Sequence, residues 1–278
     1  MPVDDQIAVQ KIVKKSGSSF FWGMNVLKSE KKRAMFSIYA FCRVVDDIAD
    51  EIKDKKIRKA RLKDWKLRVK GIFNSEKPKS SLEKELKFAV EEFKLKENDI
   101  LSIIDGMMMD ANQDIRFPSK QTFDLYCDRV AVAVGYLSIK VFGLEDINKK
   151  YAFYLGRAFQ LTNIVRDFTE DLKRGRCYIA SNYLSRYGVK KNIKTIVNEP
   201  KLQNIFQDIL KDAENYCNQA TMESKQIEKK KILAPEIMKT FYKAIHSKMY
   251  NKKINLGNKI KLGSIEKVLI LSLFFVRY

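Results

Sequence analysis

The sequence is poor in residues that break helices, form disulfides or bind transition metals. Its 278 residues include 11 glycines, 5 prolines, 4 cysteines and a single histidine. The cysteines stand far apart without a CxxC pair, which indicates neither a zinc site nor a disulfide framework; they are Cys42, Cys127, Cys177 and Cys217. We expect them to be reduced core residues of a cytoplasmic protein. We expect His246 to be a structural or surface residue rather than a catalyst.

Long hydrophobic runs are also missing. The nearest candidate, Val268–Val276, is much shorter than the roughly 20 apolar residues that span a membrane. Residues 1–10 lack the basic and apolar segments of a signal peptide, so we expect a cytoplasmic location. The tail 251–278 is first basic and then apolar. That order is typical of peripheral binding to an anionic membrane, and it equally fits a last core helix preceded by lysines.

The scarcity of proline favours helices. No proline occurs between Ser119 and Glu199, and apolar residues recur at three- and four-residue steps. We predict an all-α fold, a single domain over residues 1–278 whose helices surround a common interior. The predicted helices cover residues 30–53, 82–95, 97–114, 120–142, 146–173, 202–229 and 234–250. Turns or caps are predicted at Asn74–Ser81, Ser119, Gly143, Gly175 and Asn198–Pro200.

Negative charge is the scarcer sign. The chain has 34 Asp and Glu against 54 Lys and Arg, a formal net charge of +20. This excess fits a polyanionic partner (nucleic acid, an anionic membrane or an anionic substrate) or a lysine-rich surface without any partner. No aromatic-basic nucleic-acid motif accompanies the charge, so no nucleic acid is expected.

One predicted helix carries polar residues along a face among apolar neighbours. Tyr39, Arg43, Asp46 and Asp50 stand at i, i+4, i+7 and i+11, which places them on one side of a helix. We call these four residues the first stripe. A solvated face normally mixes lysine and glutamate, so a stripe of tyrosine, arginine and two aspartates indicates the wall of a cavity.

A second predicted helix repeats this pattern. Gln160, Asn163, Asp167 and Asp171 stand at i, i+3, i+7 and i+11, and we call them the second stripe. Each stripe offers two carboxylates about one helical turn apart. Arginines stand beside the aspartates, at Arg43, Arg166, Arg174 and Arg176.

This combination suits diphosphate chemistry. Mg²⁺ is typically held by one or two carboxylates together with substrate phosphates. A diphosphate lies against carboxylates only where a divalent metal bridges them and arginines neutralise the remaining charge. Two aspartates one turn apart on a single helix more often form surface ion pairs or lie at a helix terminus. Two matched stripes favour instead a site that holds two diphosphates at once.

These motifs resemble the two signature regions of the squalene/phytoene synthase family. The likeness begins at the SGSSF of residues 16–20, includes both stripes and runs to about His246. Bacterial presqualene diphosphate synthases of the hopanoid pathway are the most similar group, on segments 104–110, 125–135 and 158–163. Phytoene synthases share much of the pattern. The resemblance implies an isoprenoid synthase-type helical bundle around a central cavity.

The resemblance also implies roles for individual residues. The implied metal ligands are Asp46, Asp50, Asn163, Asp167 and Asp171. The implied catalytic residues are Arg43, Arg166 and Tyr178, close to the diphosphates, and Tyr126, near the reacting carbons. The other substrate-binding positions are Ser19 at the flap over one diphosphate, Tyr39 and Arg176 near the diphosphates, Phe20, Gln160 and Tyr242 in the cavity, and Val130, Ala131, Val134, Gly135 and Leu161 in the prenyl channel.

Two of these groups have a purely structural alternative. The small residues Ala131, Ala133 and Gly135 fit either a groove for an alkyl chain or close helix packing. The aromatic residues fit either cation–π shielding of a carbocation or core packing; they are Phe20, Phe21, Trp22 and Phe41.

The implied activity is the head-to-head condensation of two farnesyl diphosphates to presqualene diphosphate, with or without onward conversion to squalene. The implied cofactor is Mg²⁺, for which Mn²⁺ can substitute. NADPH is not expected, because no GxGxxG follows a strand, although reductive squalene synthases also lack a Rossmann domain. The implied oligomeric state is a monomer or a weak dimer.

Other interpretations stay open at this point. A phytoene synthase would condense two geranylgeranyl diphosphates. A terpene cyclase or head-to-tail elongase would carry a DDxxD, which residues 46–50 also match, but the NxxxDxxxD followed by RGRCY and the upstream SGSSF argue against both. A non-catalytic assembly factor of this fold would have lost the metal aspartates.

Overall fold

The computed structural model describes residues 3–112, 115–250 and 260–278. This part of the chain is helical and contains no β-strand, which confirms the all-α prediction. Its α-helices are α1 (Val3–Lys15), α2 (Phe20–Asn25), α3 (Ser29–Glu51), α4 (Lys55–Phe73), α5 (Ser81–Phe93), α6 (Glu97–Asn112), α7 (Lys120–Cys127), α8 (Ala133–Phe142), α9 (Lys149–Arg166), α10 (Phe168–Lys173), α11 (Ser181–Arg186), α12 (Leu202–Ser224), α13 (Lys229–Tyr250) and α14 (Ser264–Arg277).

Local sequence signals set several helix ends as predicted. The Ser119 hydroxyl caps α7 by accepting a bond from the backbone N–H of Thr122 at 3.1 Å. Gly143 and Gly175 follow α8 and α10 at φ 78° and 75°, a left-handed conformation in which glycine has no Cβ penalty.

Helices α1, α3, α4, α5, α6 and α8 build one hydrophobic core. The apolar side of α3 runs through it, with Ile38, Phe41 and Val45 fully buried. Phe41 meets Trp65 of α4 at 5.6 Å between ring centroids. Truncating such a ring to alanine costs about 3–5 kcal/mol. This packing fixes the rotation of α3 and therefore the direction in which its polar stripe points.

A second core forms around α9, which packs along α12, and includes α7, α10, α11 and α13. The His246 ring lies 2.9 Å from the Leu210 carbonyl and ties α13 to α12, which agrees with the structural role expected for it. All four cysteines carry free thiols, three of them buried, as expected for reduced core residues. A large cavity separates the two cores.

The predicted helix 120–142 contains a π-helical turn, Asp128–Val132, between α7 and α8. Arg157 of α9 is buried and donates to Asp124 Oδ1 and Asp128 Oδ1, each at 2.7 Å. The extra residue in this turn changes the direction of the side chains that follow it. The sequence pattern did not reveal the turn.

The second acidic segment is not one continuous helix, contrary to the prediction for 146–173. Helix α9 ends at Arg166 and α10 begins at Phe168, with Asp167 between them at φ −98° and ψ 2°. The Asp167 N–H still donates to Asn163 O at 2.8 Å, and the Asp171 N–H donates to Asp167 O at 3.0 Å. The chain therefore stays close to helical, and the second stripe stays on one side despite the break.

Other helix boundaries also differ from the prediction. Helix α12 ends at Ser224 rather than residue 229, and α13 begins at Lys229 rather than residue 234. Proline favours a helix start, but Pro235 lies inside α13. Ile232, one turn before Pro235, is buried. The free energy of this burial offsets the loss of the backbone hydrogen bond that proline cannot donate. The prediction omitted α1, α2, α4 and α11.

Helix α14 covers the apolar part of the tail, while residues 251–259 of that tail lie outside the described residues. One side of α14 packs Ile270, Leu271 and Phe274 against the second core. The opposite side, which we call the exposed apolar face of α14, consists of Ile265, Val268, Leu269, Leu273, Phe275 and Val276. Within the described ranges, every helix is too short or too polar to cross a membrane.

Candidate active site

The cavity between the two cores has a volume of about 600 Å³. It is lined by α3 and α6 on one side, by α9, α10 and α13 on the other, and by Lys261 and Lys267 of the C-terminal tail. All eight residues of the two stripes line it: Tyr39, Arg43, Asp46, Asp50, Gln160, Asn163, Asp167 and Asp171. Two segments far apart in the sequence thus face one space, as the spacing predicted.

The aspartates of the first stripe are paired with arginines. Arg43 Nη1 donates to Asp46 Oδ2 at 3.2 Å and also forms an ion pair with Asp47. Asp50 is bound by Arg176 and lies 3.4 Å from Nη2 of Arg174. The arginines that the sequence placed beside the aspartates therefore contact them directly.

The second stripe is held in a similar way. Arg166 donates to Asp167 through Nε at 2.9 Å and Nη2 at 2.6 Å, a two-pronged pair that fixes both groups. The Tyr242 hydroxyl of α13 donates to Asn163 Oδ1 at 3.0 Å. Because Tyr242, Arg166 and Asn163 all line the cavity, these bonds orient the polar wall towards it.

Several carboxyls in the cavity are short of positive charge. Burial, together with the nearby Asp50, raises the pKa of Asp46 to about 7. Burial and Asp167 raise the pKa of Asp171 to about 8, with Arg176 opposing the shift. Asp110 and Asp50 contribute to that shift, so carboxylates from α3, α6 and α10 share one electrostatic environment. A divalent cation would relieve this repulsion and favour the ionised carboxylates.

The donor set fits Mg²⁺ when substrate is present. The four aspartates of the two stripes and Asn163 line the cavity and offer the hard oxygen ligands that Mg²⁺ prefers. No three acidic, cysteine or histidine side chains of the described residues already converge as a ready-made metal site. Mg²⁺ in proteins typically takes one or two carboxylates from the chain and its other ligands from phosphates and water.

A buried carboxylate that the sequence analysis did not select connects the two implied catalytic tyrosines. Asp110 of α6 is 2 % exposed and accepts hydrogen bonds from Tyr126 at 3.1 Å and Tyr178 at 2.5 Å. The two phenol rings stack at 4.9 Å and 12°. The only sequence signal was an aspartate in an apolar, methionine-rich helix.

The segment Ser16–Ser19 and Phe20 form one end of the cavity. The Tyr39 hydroxyl donates to Ser16 Oγ at 3.1 Å and ties this segment to the first stripe. The Phe20 ring packs against Tyr242 at 5.4 Å and lines the cavity. Phe41 packs in the first core instead, and neither Phe21 nor Trp22 is among the lining residues.

The five predicted prenyl-channel residues are placed differently from one another. Val130 lines the cavity beside Ile103 and Met107, whereas Ala131, Val134, Gly135 and Leu161 are not among the lining residues. A Cβ built on Gly135 would lie 3.0 Å from the Ala152 carbonyl of α9. The small residue at Gly135 therefore allows close helix packing, which is the structural alternative for this group.

Comparisons with known proteins agree with the geometry of the site. A family model for squalene/phytoene synthase matches residues 13–264. A presqualene diphosphate synthase from Zymomonas mobilis subsp. mobilis is 39% identical over 234 residues, covering 84% of this chain and 80% of that protein. A 15-cis-phytoene synthase from Synechocystis sp. is 28% identical over 225 residues, covering 76% and 66%.

A solved structure shows the same fold. A dehydrosqualene synthase in complex with a ligand superposes with a TM-score of 0.83 at 23% identity, over 99% of this chain and 98% of that one. The family match spans both stripes and the flanking arginines. This chain belongs to the squalene/phytoene synthase family.

Proposed function

We propose that this chain is a prenyltransferase that joins two farnesyl diphosphates head to head, forming presqualene diphosphate and releasing diphosphate. One observation carries the proposal: two matched stripes of aspartates with their arginines face a single cavity and are joined across it by Arg176. Two such stripes offer carboxylates and arginines to two diphosphates at once. The likeness to a presqualene diphosphate synthase supports the C15 substrate.

The reaction begins when the C1–O bond of one substrate breaks and its electron pair leaves with the diphosphate. Arg43 and Arg166 lie beside the aspartates, where they can contact the departing diphosphate. Mg²⁺ held by the aspartates, or Mn²⁺ in its place, would neutralise the diphosphate and stabilise it as a leaving group. Positioning of both substrates removes much of the entropic barrier.

The allylic cation then reacts with the C2=C3 double bond of the second substrate. The π electrons form the first carbon–carbon bond, and loss of a proton to the released diphosphate supplies the pair that closes a cyclopropane. Phe20, Ile103 and Met107 line the apolar part of the cavity and exclude water from the cation. No hydride is consumed in this step, so NADPH is not required for it.

Product analysis tests this proposal. Purified protein is incubated with Mg²⁺ and either farnesyl or geranylgeranyl diphosphate, with and without NADPH, and the dephosphorylated products are analysed by mass spectrometry. We expect a C30 cyclopropyl product from the C15 substrate alone. A C40 product from the C20 substrate alone would favour phytoene synthase, and no product from either would refute the enzyme.

We further propose that the exposed apolar face of α14 binds an anionic membrane surface, to which the apolar product must be delivered. Six exposed apolar side chains lie on this face. Lysines stand at both ends of the helix: Lys248 pairs with Glu266 near its start, and Tyr278 at its end contacts Lys229. Apolar area flanked by lysines is the arrangement that binds anionic bilayers peripherally. In this proposal the protein is a cytoplasmic monomer or weak dimer.

A further inference from the structure

Asp110 receives one proton from each of two tyrosines. Its Oδ2 accepts from the Tyr126 hydroxyl at 3.1 Å, and its Oδ1 accepts from the Tyr178 hydroxyl at 2.5 Å. The tyrosines come from α7 and from the segment that follows α10, whereas Asp110 lies on α6. Three separate elements therefore meet at one carboxylate, and the stacked rings share a single acceptor.

A phenol has one proton, and here both protons are directed at Asp110. The hydroxyl oxygens still carry lone pairs, and both tyrosines line the cavity. An oxygen that presents lone pairs is the negative end of a dipole. It stabilises a carbocation and is poorly suited to donate a hydrogen bond to a diphosphate.

Arg176 and the two tyrosine hydroxyls oppose the cost of burying a charge at Asp110. Arg176 Nε lies 3.8 Å from Asp110 Oδ1, and the same guanidinium donates to the Ala49 carbonyl at 2.7 Å. Burial raises the pKa of Asp110 to about 6, with Arg176 and the tyrosine hydroxyls opposing the rise. At neutral pH the group is mostly a carboxylate, which can accept from both tyrosines but donate to neither.

We propose that Asp110 is a positioning residue that sets the polarity of Tyr126 and Tyr178, so that their oxygens face the reacting carbons as acceptors. The inference rests on the proposed function, because it needs a carbocation in the cavity. It changes the expected role of Tyr178, which acts on the cation rather than on the diphosphates. For Tyr126, which was expected near the reacting carbons, it specifies that the oxygen acts as an acceptor.

The test is the variant Asp110→Asn. Its amide nitrogen donates a hydrogen bond to one tyrosine oxygen, where the carboxylate accepted one. The proton of that tyrosine must then point towards the cavity. The matched control is Asp105→Asn, on the same helix but in a half-buried pair with Lys66. We expect kcat to fall about ten- to a hundredfold, as for loss of a supporting hydrogen bond, with KM for farnesyl diphosphate within about twofold. The control should keep its kcat.

Two further readouts separate positioning from a purely structural role. Water captures a poorly stabilised cation as farnesol, so the fraction of substrate released as farnesol should rise in Asp110→Asn. In the Tyr126→Phe/Tyr178→Phe variant, adding Asp110→Asn should lower kcat less than about twofold, because the hydroxyls through which Asp110 acts are absent. An equal loss of kcat in both backgrounds, or full kcat in Asp110→Asn, would overturn the proposal.

The tyrosine variants decide the matter if Asp110→Asn does not fold. Tyr126→Phe/Tyr178→Phe removes the two hydroxyls and keeps Asp110. An unchanged kcat and unchanged farnesol release in that variant would overturn the proposal, and a lower kcat with more farnesol would support it. Failure of the proposed function is distinct from either result, because the unsubstituted protein would then give no C30 product.

Discussion

The Arg176 guanidinium binds the Asp50 carboxylate of α3 across 126 positions of sequence. The same guanidinium donates to the Ala49 carbonyl at 2.7 Å, so it anchors to both the backbone and the side chain of the first acidic helix. Arg176 lies a short turn beyond Asp171, the last residue of the second stripe. One residue thus holds the two halves of the cavity wall at a fixed separation.

Replacing Arg176 by lysine should therefore reduce activity although the charge is kept. A lysine cannot make both bonds at once, since its ammonium lacks the planar fork of a guanidinium. We expect kcat/KM for farnesyl diphosphate to fall about ten- to a hundredfold. The control is Arg186→Lys, in an exposed pair with Asp208. Equal activity of the two variants would show that the bridge is dispensable.

Removal of one carboxylate from either stripe should abolish most activity. Asp50→Asn and Asp167→Asn are each expected to lower kcat by about a hundredfold or more, because each removes a charge that would bind metal and diphosphate. Glu51→Gln, exposed and adjacent to Asp50, serves as the control. Raising the Mg²⁺ concentration should restore part of the loss. Full activity of either aspartate variant would contradict the metal assignment.

The raised pKa values predict how stability depends on pH. The pKa of Asp46 is raised to about 7 and that of Asp171 to about 8, above their values in the unfolded chain. The folded protein therefore binds more protons than the unfolded chain between about pH 4 and 8, and metal-free stability should fall as pH rises through this window. Tm measured at pH 6, 7 and 8 should decrease in that order.

Addition of Mg²⁺ with inorganic diphosphate should reverse this trend. Ligands that bind the ionised carboxylates stabilise the folded state most where those groups are ionised. The increase in Tm caused by the two ligands together should therefore be larger at pH 8 than at pH 6. A metal-free Tm that rises from pH 6 to pH 8 would contradict the electrostatic account.

Membrane binding should depend on the exposed apolar face of α14. Leu269→Asp/Leu273→Asp is expected to reduce co-sedimentation with anionic phospholipid vesicles at least about tenfold, since it removes apolar area and adds repulsion. Leu67→Asp, at an exposed leucine of α4, is the control. Vesicles of neutral lipid should bind the unsubstituted protein weakly. Unchanged sedimentation of the double variant would refute the proposal for α14.

The packing of α2 on α13 gives a prediction for stability. A Cβ built on Gly23 would lie 2.9 Å from the Ala234 carbonyl, so Gly23→Ala should separate the helices and lower the free energy of unfolding by about 1–3 kcal/mol. The segment Ser16–Ser19 leads directly into α2, so the KM for substrate should rise as well. Chemical denaturation measures the first effect and steady-state kinetics the second.

The sequence predicted the parts of the site that depend on spacing within one helix. The first stripe could be placed because α3 is continuous and its apolar side is unambiguous. The second could be placed because the interruption at Asp167 keeps nearly helical backbone bonds. The π-helical turn at 128–132 could not be foreseen, because residues 130–137 are apolar almost without interruption and such a run hides a one-residue shift in the apolar periodicity.

Asp110 was missed for a different reason. Its partners, Tyr126 and Tyr178, are 16 and 68 positions away, and no local pattern brings them together. Its role appears only when α6, α7 and the segment after α10 are packed around one cavity. Contacts of that kind depend on tertiary packing. Tertiary packing also decides why Val130 lines the cavity and the other predicted channel residues do not.

The central claim is that two stripes hold two prenyl diphosphates in one cavity. Calorimetric titration with a farnesyl thiodiphosphate, whose C–S bond does not ionise readily, tests it directly in the presence of Mg²⁺. We predict two molecules bound per chain, and about one in Asp50→Asn or Asp167→Asn. Saturation at one molecule per chain in the unsubstituted protein would contradict the account.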